Sequence, residues 1–122
     1  MGKWVANDVL DGAFGVIASA TRMVAVNGQP ASFMAAMAGR LAEADLVPAD
    51  FALAPGDISG RKVSVLGKQN VSVTSAGVAN HVALLDTVGS RLLYVTTCPE
   101  QALPAGGTVS FETWSIEIGD PV

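Results

Sequence analysis

Apolar residues change their spacing part-way along this 122-residue chain. In the first third they recur mostly at helical intervals, whereas beyond the run Pro55-Gly56-Asp57 they recur at every second position. Val63 and Val65 alternate with Lys62 and Ser64, and Val71 and Val73 alternate with Ser72 and Thr74. Successive side chains on a strand point to opposite faces, so this pattern belongs to strands with one face buried and the other wet. Lys68-Gln69-Asn70 lies between the two runs and predicts the turn of a hairpin.

Two further strands are predicted at Ala79–Leu85 and Arg91–Thr97, joined antiparallel through Asp86-Thr87-Val88-Gly89-Ser90. Leu84, Leu85, Leu92, Leu93, Tyr94 and Val95 put apolar groups on both faces, which suits central strands covered by protein on each side. The last strand, Thr108–Ile118, changes phase. Val109 and Phe111 share one parity, and Trp114, Ile116 and Ile118 the other, so a β-bulge is expected at Glu112-Thr113. Pro99–Gly107 reads as a loop or contact arm.

The N-terminal third reads differently. Asn7 or Asp8 can cap a helix carrying Val9, Leu10, Ala13, Phe14 and Ile17 on one side. Gly12 and Gly15 weaken it by about 1 kcal/mol each relative to Ala, so it must be held by packing. A strand at Thr21–Val26 ends at the turn Asn27-Gly28-Gln29-Pro30. A second short helix is expected within Ala31–Ala44, with Met34, Met37 and Leu41 as its core stripe. The whole is a mainly β fold, an antiparallel β-sandwich or barrel with one or two short N-terminal helices. Residues 1–122 form a single domain, with 1–8 as a possible contact arm and 119–122 as a C-terminal tail.

Composition adds the functional constraint. Half of the residues are hydrophobic and only 15% are charged, against about 25% in a typical soluble domain. A small body with so little charge must expose apolar surface or cover it with a partner. The net charge of −4 and scattered basic residues, Arg61-Lys62 apart, speak against a nucleic-acid-binding face. No run reaches the ~18 apolar residues of a membrane span. Asp8 and Asp11 interrupt the first apolar stretch, so no secretory signal is read and synthesis in the cytoplasm is expected.

Catalytic constellations are sparse. His81 is the sole histidine and Cys98 the sole cysteine; a triad, a thiolate–imidazole pair or a transition-metal site would have to be built around them. His81 is read as a structural or surface residue and Cys98 as a small packed hydrophobe. The acidic residues are dispersed without a calcium-loop pattern, and no phosphate-binding glycine motif occurs, so neither metal nor cofactor is expected. Phe111, Tyr94 and Trp114 are read as core. Trp4 is the exception, because a large aromatic ahead of the first helix suits insertion into a partner.

Several segments, taken in order, carry a resemblance. They are Val9-Leu10-Asp11 leading to Ala20-Thr21-Arg22-Met23-Val24, Asn27-Gly28-Gln29-Pro30 and Gly56-Asp57-Ile58-Ser59-Gly60-Arg61-Lys62-Val63. The series continues with Ala79-Asn80-His81-Val82-Ala83-Leu84-Leu85-Asp86, Ser90-Arg91-Leu92-Leu93-Tyr94-Val95-Thr96-Thr97, and Ile116-Glu117-Ile118 with Asp120-Pro121. Together they resemble a family of small virion proteins from tailed bacteriophages and prophages that belong to the head. The resemblance implies a non-enzymatic capsid decoration, or cement, protein on the virion surface. It implies homotrimers that bridge subunits of the major capsid protein. Interface candidates are Trp4 and Val5 in the arm, Pro99, Leu103 and Pro104 in the loop, and Arg61, Lys62 and Arg91 as partners for capsid carboxylates. The alternatives are a tail-tube or fibre-associated virion subunit, and a carbohydrate-binding β-sandwich displayed on the virion.

Overall fold

The computed structural model describes residues 2–122. Helix α1 (Asn7–Ile17) is followed by β1 (Arg22–Val26), the short helix α2 (Phe33–Ala38) and β2 (Ala42–Asp45). A single 3-10 turn at Pro48–Asp50 leads into β3 (Phe51–Pro55), β4 (Arg61–Val65) and β5 (Lys68–Ser72). Next come β6 (Gly77–Asp86), β7 (Arg91–Leu103), β8 (Thr108–Phe111) and β9 (Trp114–Ile118). All strand pairs are antiparallel. The expected mainly β sandwich is present, and it does not close into a barrel.

The first sheet has the order β2-β1-β6-β7. Its central strands are buried on both faces. Met23, Ala25, Val82 and Leu84 point into the main core, while Val24, Val26, Ala83 and Leu85 form a second cluster with Ala36 of α2. Helix α2 therefore roofs the outer face of this sheet. That arrangement explains unbroken apolar runs where a half-exposed strand would alternate.

The second layer consists of β3-β4-β9 and β5-β8. These are two parts of one bent ribbon, because Val65 faces Trp114 and Lys68 faces Phe111 with the pairing register unchanged across the break. Gly67 makes the bend possible. A Cβ there would lie 2.5 Å from the Phe111 carbonyl oxygen and 2.9 Å from the Thr113 nitrogen, closer than any side chain tolerates.

Several expectations are corrected. Val63–Val65 and Val71–Val73 do not form a hairpin, and Lys68-Gln69-Asn70 is strand rather than turn. The phase change at Glu112-Thr113 is a two-residue strand break, and the register shift lies on the neighbouring strand between Lys68 and Val71, opposite Val109–Phe111, where Asn70 adopts φ 54°. Asn tolerates that left-handed geometry better than most residues. Helix α1 starts after Ala6, so neither Asn7 nor Asp8 is its N-cap; Asp8 sits in the first turn, where its charge still favours the helix dipole. Only Leu10 and Phe14 of its predicted stripe are buried, and Val9 is exposed.

Helix α2 is capped by Ser32, whose hydroxyl accepts from the Ala35 amide at 3.1 Å, and it ends at Gly39. Beyond it the predicted helical stretch becomes β2, because Ala42–Asp45 completes the edge of β1. The Met34–Met37–Leu41 stripe is thereby broken: Met34 is exposed, and Leu41 packs in the core beyond the helix. Strand β7 runs on through Pro99 to Leu103, leaving only Pro104–Gly107 as connection. It is also an edge strand, not a central one.

Candidate assembly surface

The two layers join along one side and gape along the other. On the joined side Ala42 bridges to Val73, and the Thr74 amide donates to the Leu41 carbonyl at 2.7 Å. On the open side, β7 faces the β8–β9 edge across a groove of ≈ 570 Å³. Its floor includes Ala25, Ala79 and Val82, and its walls include Cys98, Leu103, Phe111 and Trp114. Tyr94 and Trp114 lie with ring centroids 6.1 Å apart and planes inclined by 32°. The indole Nε1–H of Trp114 is buried without an acceptor among the described residues, a costly state that an added carbonyl or hydroxyl would relieve.

A second exposed apolar region surrounds the two chain ends. Trp4 is 84% exposed, and Lys3, Trp4, Val5 and Asn7 line a small hollow together with Asp120 and Pro121. The Lys3 ammonium donates to the Val122 carbonyl. Nearby, the Ser59 hydroxyl accepts from the Asp120 amide at 3.0 Å. The loop that carries Ser59 presents Ile58 at 93% exposure. This loop is held firmly. The Glu117 carboxylate accepts from the Asp57 and Ile58 amides, Lys62 bonds Asp57 at 2.7 Å, and Gly60 turns at φ 69° where a side chain would strike the Ile118 carbonyl. An apolar residue presented on a fixed loop loses little entropy on contact.

The expected interface residues divide. Trp4 and Pro104 are exposed and Val5 is half-buried. Leu103 is 3% exposed and belongs to the main core, so it is a packing residue and not a contact element. Pro99 is exposed on the edge strand rather than in a loop. Arg61 and Lys62 are matched within the chain, Arg61 to Asp11 of α1 at 2.9 Å and Lys62 to Asp57. Those pairs leave neither cation free for a partner's carboxylate. Arg91 is exposed and makes no ion pair or side-chain hydrogen bond among the described residues.

The groups that chemistry would need are engaged in structure or stand apart. His81 lies on β6, and its Nδ1 is 2.7 Å from the Asn80 side-chain oxygen. That oxygen already accepts from the Gly28 amide at 2.7 Å, so the imidazole Nδ1 carries the proton and donates. Burial pushes the Cys98 thiol above its ordinary pKa, which suppresses the thiolate. Asp50, at the end of the 3-10 turn, is a charged side chain largely shielded from solvent. Burial raises its pKa, but the Lys68 ammonium at 2.9 Å and the Val47 amide at 2.8 Å outweigh that effect and hold the carboxyl below its ordinary value. No cluster of metal-ligating side chains occurs among the described residues.

Comparison with protein-family models, with curated proteins and with solved structures finds no match. The free edge of β7 was the part of this surface that sequence reasoning missed. Its signal lay in Leu92–Thr97, six residues of strong β propensity without a charge, glycine or proline. Such a run fits a buried central strand and an uncovered edge equally well.

Proposed function

We propose that this chain is a non-enzymatic structural subunit of a tailed-phage virion, a decoration protein that stabilises the head by bridging major capsid subunits. The observation that carries the assembly part of this reading is the open side of the sandwich, where an apolar groove runs between the β7 edge and the β8–β9 edge, neither of which pairs with a further strand among the described residues. Exposed Trp4 and the rigidly held Ile58 add apolar anchors near the chain ends. Buried aromatic anchors surrounded by less critical contacts supply most of the affinity in protein interfaces. Repetition over a lattice multiplies modest single-site affinities. The virion setting itself rests on the ordered sequence resemblance.

The test is attachment to particles. Heads assembled without this chain are mixed with the purified protein, sedimented and imaged. Regular density over the capsid lattice is the expected result, and Trp4→Ala should reduce occupancy without unfolding the chain. Protein left wholly in the supernatant, or density confined to the tail, would refute the decoration role. The glycan-binding alternative draws on one observation, the Tyr94–Trp114 pair beside the groove. It requires glycan-array binding that Trp114→Ala abolishes.

A further inference from the structure

We propose that the free edge of β7 pairs antiparallel with the same edge of a second copy, about a two-fold axis through Val95, joining two four-stranded sheets into one of eight. Three observations converge on this occupant. The first is vacancy: β7 ends its sheet, and the backbone of Leu92–Thr97 makes no turn, loop or cap hydrogen bond to any other described element. Such an edge is a template for another strand unless charge, proline or a covering element blocks it. Here charge is absent from Leu92 to Cys98, Pro99 lies beyond the central run, and the one irregularity within it, at Leu93, leaves Tyr94–Thr97 in regular register.

The second observation is charge complementarity. The two charged residues of β7 are Arg91 and Glu100, of opposite sign and at opposite ends. Measured along β6 they are symmetric about Val95. Val95 pairs with Ala83, Arg91 pairs with Asp86 on one side, and the irregular Cys98–Glu100 segment lies opposite Asn80 on the other. Along β7 itself Arg91 lies four residues before Val95 and Glu100 five after, so antiparallel pairing about Val95 sets Arg91 of each copy opposite Pro99 and one residue from Glu100 of the other, a diagonal match made twice per dimer. Parallel pairing, or pairing to an unrelated edge, has no such match. Arg91 is also the basic side chain left without a carboxylate or carbonyl partner among the described residues.

The third observation concerns the faces. A two-fold axis normal to the sheet keeps the same side of both copies together, so Val95 opposes itself and Tyr94 opposes Thr96. Tyr94 packs against the main core of its own chain, and Leu92 and Val95 against the cluster under α2. Each apolar layer is thus continued by the corresponding layer of the second copy. The contact is isologous and closes at two copies. A single strand pair buries little surface, so the dimer is a weak one that forms at high protein concentration.

The experiment uses the full chain and needs no phage component. Sedimentation equilibrium is measured on the wild type, Arg91→Glu, Glu100→Arg and the double variant. The wild type should be dimeric at about 100 µM, each single reversal should weaken the dimer about tenfold or more, and the double variant should restore it. Independently, Val95→Cys in a Cys98→Ser background should oxidise to a disulfide-linked dimer, because residues facing across the axis lie within disulfide reach. Val88→Cys in the same background should not. A monomeric wild type, a trimer, single reversals without effect, or a double variant as weak as the singles would each overturn the proposal.

Discussion

Replacing Asp50 by Asn removes a largely shielded charge while changing little of the side chain's shape. The Val47 amide keeps an acceptor in the Asn side-chain oxygen. The loss falls on the bond from Lys68, 2.9 Å long, whose carboxylate end is 6% exposed and whose ammonium end is 28% exposed. Hydrogen bonds to charged groups contribute about 1.5–3 kcal/mol. Since Lys68 regains some hydration when released, we expect Asp50→Asn to cost about 2 kcal/mol at pH 7. With a urea m-value of about 1.5 kcal/mol per M for a domain of this size, the unfolding midpoint should fall by about 1.3 M. The pH dependence supplies the sharper test. A carboxyl held below its ordinary pKa of 3.8 stabilises the fold fully above that value and loses the benefit as pH falls through the folded-state value. The gap between wild type and Asp50→Asn should therefore be constant from pH 8 to about 5 and shrink below about 4. A gap under about 0.5 kcal/mol at pH 7, or one undiminished in acid, would refute the assignment of Asp50 and Lys68 as a stabilising pair.

Three other perturbations follow from the packing. Phe14→Ala removes the 1%-exposed side chain through which α1 enters the main core; thermal unfolding should reveal a loss of about 3–4 kcal/mol. Gly67→Ala forces a Cβ against the Phe111 carbonyl at 2.5 Å, and a cost of about 1–3 kcal/mol is expected in urea unfolding. Cys98, half-buried with its pKa raised, should react slowly with a thiol reagent at neutral pH in the folded chain and rapidly in denaturant.

The sequence was most legible where neighbours in the chain are neighbours in space. The β6–β7 pair follows from local spacing because one short turn joins its two strands, and β1 and the first helix were legible as elements from their own apolar spacing although their partners lie far along the chain. It was least legible where a pairing partner comes from far along the chain. β2 was hidden inside an Ala-rich stretch whose helix propensity is overridden by the edge of β1. The Val63–Val73 runs alternate as a hairpin should, yet they do not pair with each other: Val63 lies between Leu53 of β3 and Ile116, and Val71 pairs with Val109. Local pattern fixes which face a residue takes, not which strand lies beside it. The candidate surface suffered the same ambiguity, since Arg61 and Lys62 look free in sequence until Asp11 and Asp57 arrive through the fold.

The long β6–β7 hairpin, Gly77–Leu103, stands out for another reason. It is the longest pairing whose two halves adjoin in the chain, the shorter β3–β4 hairpin being the other in the second layer; β1 must travel to β6, and β4 to β9, across about half the sequence or somewhat less. Hairpins close in about 1–10 µs, whereas domains dominated by distant pairings fold in milliseconds to seconds. The hairpin therefore has time to zip up early and wait for its neighbours, with both of its flanks bare. During synthesis the chain is at its stickiest in that interval, so slower expression at lower temperature should raise the yield of properly folded protein.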